Sequence, residues 1–192
     1  MSQWNQFDTA AYHGVIAETI SYPGYNGDFI HAYYARPTGM GPVPGITLVH
    51  HMPGWDEFYR EMAYRFANHG YAVLMPDLYC RHSHGSPDDV AAGVREAGGE
   101  PDDQVVGDLA AASRFLRAQP GSNGKVGVIG TCSGGRHALL AAAREPDEFD
   151  AGGRSVGRSG GDEARRAYPE HAGGAAGIRQ GSASAAAGAV RQ

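Results

Sequence analysis

Apolar and polar positions alternate with period two at the start of the chain, which marks extended segments rather than helices. Val15 to Tyr22 reads as a strand, Pro23 to Asp28 is dense in turn formers, and Phe29 to Arg36 reads as a returning strand. Together they predict an antiparallel hairpin at a sheet edge. Pro37 to Pro44 is a loop, and Gly45 to His50 (GITLVH) is a short apolar run of the kind found in buried parallel strands. The period then changes. Trp55 to His69 reads as a helix, with Phe58, Met62 and Phe66 on one face, Asp56 and Glu57 favouring its start, and Gly70 as its stop. Tyr71 to Met75 is the next strand, ended by Pro76. His82 to Glu100 is polar and reads as a loop with a short helical piece. Asp102 to Gln119 is a helix with Val105, Val106, Leu109, Ala112, Phe115 and Leu116 facing inward. After a Pro-Gly-Ser-Asn-Gly turn, Val126 to Ile129 is a buried strand and Arg136 to Ala143 a helix.

Strands alternating with helices predict right-handed crossovers and a parallel sheet, in which function gathers at the carboxyl ends of the strands. Three loops meet that description: His50 to Gly54, Asp77 to His84, and Gly130 to Gly134.

The third loop carries chemistry. Gly130-Thr131-Cys132-Ser133-Gly134 has the form of a nucleophile elbow with cysteine as the nucleophile. The glycines follow from geometry, because a sharp strand-to-helix reversal leaves no room for side chains two residues either side. The nucleophile then stands at a helix N-terminus, where the dipole and unpaired N–H groups favour a thiolate and a developing oxyanion. Two other readings of the stretch stay open. A small cysteine between strand and helix is often plain core. KVGVIG could also open a dinucleotide-binding fold with Asp150 as its ribose acid, but the middle glycine of that fingerprint is replaced by Cys132, whose side chain blocks the pyrophosphate.

Composition changes this picture at one place. The 192 residues suit one domain, and a net charge of −5 makes nucleic acid an unexpected partner. Two cysteines, Cys80 and Cys132, are too few for a disulfide framework and point to a reducing, cytoplasmic setting. The polar start MSQWNQFDTA does not have the form of a signal peptide, and no run approaches a membrane span. From Ala151 onward, however, 42 residues hold 10 Gly, 11 Ala and 6 Arg, one Ile, and no Leu, Phe, Trp or Met. No strand or packed helix face is expected there.

LVHHMPG, then GYAVLMPDLYCR, then SNGKVGVIGTCSGG, in this order and spacing, resembles the dienelactone hydrolase (carboxymethylenebutenolidase) family of α/β-hydrolases. The resemblance runs from about the second strand to Asp150. It implies a truncated α/β-hydrolase fold, with a mostly parallel sheet, flanking helices and an N-terminal β-hairpin. The expected organisation is residues 1–150 as the N-terminal part of that domain and 151–192 as a Gly/Ala/Arg-rich tail. The implied activity is hydrolysis of a small-molecule lactone or ester through a cysteine acyl-enzyme, without metal or organic cofactor. Cys132 matches the nucleophile, and the N–H groups of Ser133 and Met52 match the oxyanion donors. Arg81 matches an arginine that pairs with a substrate carboxylate, an assignment that suits bidentate guanidinium geometry. His51 stands where archetypal members carry a glutamate touching the resting thiol. A histidine there can hydrogen-bond the thiol or accept its proton, or be an ordinary loop histidine. His82 and His84 are spaced like a metal pair but lack further ligands, so a solvated loop is expected.

The family's catalytic acid and histidine follow the nucleophile, each after a later strand. Asp162 and His171 have no strand-like context and are not assigned these roles. The abrupt change after Asp150 suggests sequence read out of frame, and an impaired enzyme. It also predicts an exposed apolar edge at Val126 to Ile129, with poor solubility or oligomers. A basic tail that binds a partner is the non-catalytic alternative.

Overall fold

The computed structural model describes residues 14–39, 42–82 and 85–155. Expectations that fall on His84, Asp162, His171 or the tail beyond residue 155 lie outside them.

The hairpin forms as expected. Strand β1 (Val15–Pro23) pairs antiparallel with β2 (Phe29–Pro37) in unbroken register from Val15 opposite Pro37 to Pro23 opposite Phe29. Between them a single 3-10 turn places Asn26 at φ 54°, a left-handed conformation that asparagine tolerates better than most residues. β3 (Val43–Val49), β4 (Ala72–Pro76) and β5 (Ser122–Thr131) follow, and the sheet order is β1-β2-β4-β3-β5-β6. β2 joins β4 antiparallel, whereas β4, β3, β5 and β6 run parallel.

Period-two alternation sends β4 to both faces at once. Leu74 packs with Ile30, Leu109, Leu116 and Val128 on one side, while Val73 and Met75 pack with Leu48, Tyr59 and Ala63 on the other. The first layer is covered by α3 (Asp102–Ala118) and α4 (Ser133–Arg144), the second by α1 (Glu57–Asn68). Helix α1 differs from the expectation in its seam. Tyr59, Ala63 and Ala67 are fully buried, Met62 and Phe66 only flank them, and Phe58 is 56% exposed. Two alanines one turn apart let the helix lie close on the sheet, and that register turns Phe58 outward.

The polar stretch after β4 contains a full helix, α2 (Pro87–Glu96), in place of a short helical piece. Its start is legible in hindsight: Ser86 caps it by accepting from the Asp89 N–H at 3.3 Å, with Pro87 at the first helical position. Helix α3 buries one residue its apolar pattern conceals. Asp108 is fully buried and accepts from Arg81 through both oxygens, at 2.7 and 3.0 Å, and from the Tyr25 N–H at 2.8 Å. Gly24 and Gly107 allow this approach, since a Cβ on Gly107 would stand 2.5 Å from the Tyr25 ring.

The sharpest correction comes after Asp150. A sixth strand, β6 (Ala151–Ser155), pairs parallel with β5, from Gly127 beside Ala151 to Thr131 beside Ser155. The Val126–Ile129 segment is therefore an interior strand, and the predicted bare edge is not there. Ala-Gly-Gly has no strand-forming side chains, so pattern reasoning passes over it. Position is supplied instead by Asp150, whose carboxylate accepts from the Val126 N–H at 2.9 Å, Lys125 at 2.8 Å and Arg117 at 3.0 Å. Smallness is what α4 demands, because a Cβ on Gly152 would stand 2.9 Å from the Cβ of Ala142.

Candidate active site

β5 ends at Thr131 and α4 begins at Ser133, so the whole reversal falls on Cys132. Cys132 takes φ 52°, ψ −122°, a strained backbone for a residue with a side chain, and it is exposed. The flanking glycines are explained by what surrounds them. A Cβ on Gly130 would overlap the Gly134 carbonyl, and one on Gly134 would overlap the Val49 carbonyl and stand 2.5 Å from that of His50. The start of α4 is thus pressed against the end of β3. As the first helical residue, Ser133 has an N–H with no intrahelical acceptor.

The loop after β3 is held from several sides. His50 is buried; its Nε2 accepts from the Leu78 N–H at 3.1 Å, so its Nδ1 carries the proton and donates to the His51 carbonyl at 2.8 Å. Burial pushes the His50 pKa below its ordinary value, which keeps the ring neutral. The same His51 carbonyl accepts from Gly54 N–H at 2.9 Å, and the Tyr79 hydroxyl donates to the Met52 sulfur at 3.6 Å. Burial raises the Tyr79 hydroxyl to about 12, so it stays a donor. Met52, expected as an oxyanion donor, sits in this braced loop.

His51 lies at the same place, half-buried, with Nε2 2.7 Å from Asp56 Oδ2. Asp56 is also the N-cap of α1, its Oδ1 accepting from the Tyr59 N–H at 3.0 Å. The Tyr59 hydroxyl is hydrogen-bonded to the Thr131 hydroxyl, tying α1 to the residue before the cysteine. Asp56 was legible only as a helix-start residue; the link from Tyr59 to Thr131 carries no sequence signal, because 72 residues separate the partners. His137, on the elbow helix, also escaped the sequence reading. Burial, with Arg136 beside it, lowers its pKa to about 4.

Arg81 is engaged by carboxylates of the protein itself. Its guanidinium grips Asp108 with two nitrogens and Asp28 with the third at 2.8 Å. A substrate carboxylate would have to displace, or lie beside, two carboxylates of the protein itself. His82 is paired with the buried side chain of Glu100 rather than solvated. Among the described residues no group of three or more His, Cys, Asp or Glu could hold a metal ion. Asp150, the acid of the dinucleotide reading, is spent on Lys125, Arg117 and the Val126 N–H. No observation favours that reading.

A mixed sheet flanked by helices, with a strained cysteine between a strand and the helix that follows it, is the architecture of an α/β-hydrolase fold. Known proteins narrow the class. The dienelactone hydrolase family profile matches residues 30–157. Carboxymethylenebutenolidases of Pseudomonas putida and Pseudomonas knackmussii are each 37% identical over 143 residues, covering 68% of this chain and 57% of theirs. A Klebsiella pneumoniae protein assigned as a dienelactone hydrolase superposes with TM-score 0.62 at 32% identity, over 71% of this chain and 58% of that one. The esterase Est22 shares the fold, with TM-score 0.56 at 18% identity, over 74% of this chain and 44% of that one. The chain belongs to the dienelactone hydrolase family, and spans a little over half the length of the curated relatives it matches.

Proposed function

We propose that this chain carries the nucleophile half of a cysteine hydrolase that opens carboxylic esters or lactones. The observation that carries the proposal is Cys132, exposed at φ 52° on a turn whose neighbours admit only glycine. Strain of this kind is kept where a reacting atom must be presented. The Cys132 thiolate attacks the carbonyl carbon, and the oxyanion is received by the N–H groups of Ser133 and Met52. The alcohol leaves with a proton, and water then cleaves the thioester. These residues need no metal or organic cofactor.

The substrate we propose is an uncharged ester or lactone. The carboxylates of Asp28 and Asp108 around Arg81 disfavour an anionic one, and the exposed ring of Phe58, 6.3 Å from that of His51, offers an apolar lip. The family's acid and histidine are expected after later strands, so we propose that this chain acylates and then deacylates slowly. The working domain we propose runs through the end of β6, with the Gly/Ala/Arg-rich tail outside it.

The test is a pre-steady-state assay with p-nitrophenyl acetate. A burst approaching one equivalent per chain is expected, with a 42 Da adduct on Cys132 by peptide mass spectrometry and none in Cys132→Ala. An unchanged burst in that variant would overturn the proposal. A p-nitrophenyl hemisuccinate, which carries a carboxylate, is expected to react more slowly than p-nitrophenyl butyrate.

A further inference from the structure

We infer that Tyr59, on α1, is a positioning residue for the proposed reaction: through Thr131, its hydroxyl fixes the direction in which Cys132 presents its sulfur. This rests on the reading of Cys132 as a nucleophile.

Tyr59 is itself firmly held. It is fully buried and packs with Leu48, Ala63, Val73 and Met75. Its N–H donates to the capping carboxylate of Asp56 at 3.0 Å. Its ring lies 4.9 Å from that of His51 and 5.4 Å, edge-on, from that of Phe58. Burial raises the hydroxyl above its ordinary pKa, with the Thr131 hydroxyl and N–H acting the other way, so the group is a neutral phenol at physiological pH.

The place of its hydrogen bond to Thr131 distinguishes it from an ordinary satisfied core hydroxyl. The parallel ladder between β3 and β5 ends at Val49 beside Gly130. Thr131 is the first residue of β5 past that ladder and the last before Cys132. On this flank the backbone of β3 no longer steadies the chain, and the Tyr59 hydroxyl stands in for it. The other grip on the turn comes from the opposite face of the sheet, where α4 packs and Gly130 meets the Gly134 carbonyl. A strained backbone persists only when its surroundings over-determine it. Here α4 restrains the turn from one face and Tyr59 from the other.

Direction matters more to acylation than to alkylation. To be acylated, the sulfur must meet the carbonyl carbon while the carbonyl oxygen lies at the N–H groups of Ser133 and Met52. An error of about 1 Å in such an alignment can cost about a hundredfold. Displacement of iodide from iodoacetamide by the same sulfur builds no oxyanion and asks only for an accessible thiolate. The ratio of the two rates at Cys132 therefore reads positioning apart from exposure and ionisation. Tyr59 touches no reacting atom.

The test compares the full chain with Tyr59→Phe, which keeps the ring and loses the hydroxyl. Acetylation by p-nitrophenyl acetate and alkylation by iodoacetamide are followed at Cys132 by peptide mass spectrometry, so that Cys80 is scored separately. Acetylation is expected to fall about tenfold, the order one lost hydrogen bond carries, with alkylation within about twofold of the wild type. Thr131→Val should repeat this pattern, and Thr131→Ser should recover most of the lost rate. The double variant Tyr59→Phe/Thr131→Val should lose no more than either single one, since both remove the same bond. Unchanged acetylation in Tyr59→Phe, equal losses in the two reactions, or additive losses in the double variant overturn the inference. Should Tyr59→Phe fail to fold by circular dichroism, Thr131→Val against Thr131→Ser decides: a changed ratio restored by serine supports the tether, and an unchanged one overturns it. A wild type acetylated at Cys132 with a Tyr59-independent ratio refutes the tether alone. No acetylation of the wild type refutes the hydrolase and the inference with it.

Discussion

Asp108 is the residue whose loss the fold should feel most. It is fully buried, and its carboxylate holds the hairpin turn through Tyr25 and the loop after β4 through Arg81. Removing one partner of a buried pair leaves the other with unmatched buried charge, at about 3–5 kcal/mol. Asp108→Ala is expected to lower stability by that order in denaturant titration. Arg81→Ala should do the same, whereas an arginine reserved for substrate would change only kinetics. Sequence reasoning singled out Cys132, Met52 and His51 as candidates because strand ends and glycines announce themselves locally. It gave no sign of the ion pairs of Arg81, because its partners, 27 and 53 residues away, leave no mark on their own neighbourhood. Asp108 is spaced like a core residue of α3, yet its charge argues against burial until the guanidinium is seen.

Among elements, the contact of α4 with β3 is the one the site depends on. Gly134→Ala places a methyl group against two backbone carbonyls that cannot rotate away. A loss of about 1–3 kcal/mol is expected, with a further loss of Cys132 acylation as the loop of His51 and Met52 is pushed off the elbow. Gly124→Ala, at φ 80° but with nothing near its Cβ, should cost backbone strain alone and leave acylation intact. The strands were legible to within a few residues wherever apolar side chains alternate. β6 was not, because its address is written in Asp150 and in the space beneath α4 rather than in its own side chains. Hydrogen exchange checks this directly: amides from Val128 to Thr131 should be protected as in a strand paired on both sides.

For the whole molecule, acid is the expected weakness. His50 and His137 have folded pKa values below the ordinary 6.5, the latter about 4. Below pH 6.5 the unfolded chain therefore takes up protons that the folded chain refuses, and stability falls with pH until about 4. Asp102 and Asp150 are held low by Arg136 and Lys125, so the stability they add persists through that window and is lost only at lower pH. Tm should fall between pH 6.5 and 4, and His137→Gln should flatten that limb. None of this was legible from composition, since a histidine on an amphipathic helix gives no sign of its burial.

The order of the sheet also sets a schedule for synthesis. The candidate residues of the proposed nucleophile half lie between His50 and Gly134, and β3, α1 and β4 all precede the turn at Cys132 along the chain. A ribosome delivering residues in order releases the docking partners of Cys132 before Cys132 itself. The strained turn is thus received by a finished seat as α4 emerges, while β6 is added afterwards to the outer side of β5. Errors in translation beyond β6 would reach a cysteine already in place.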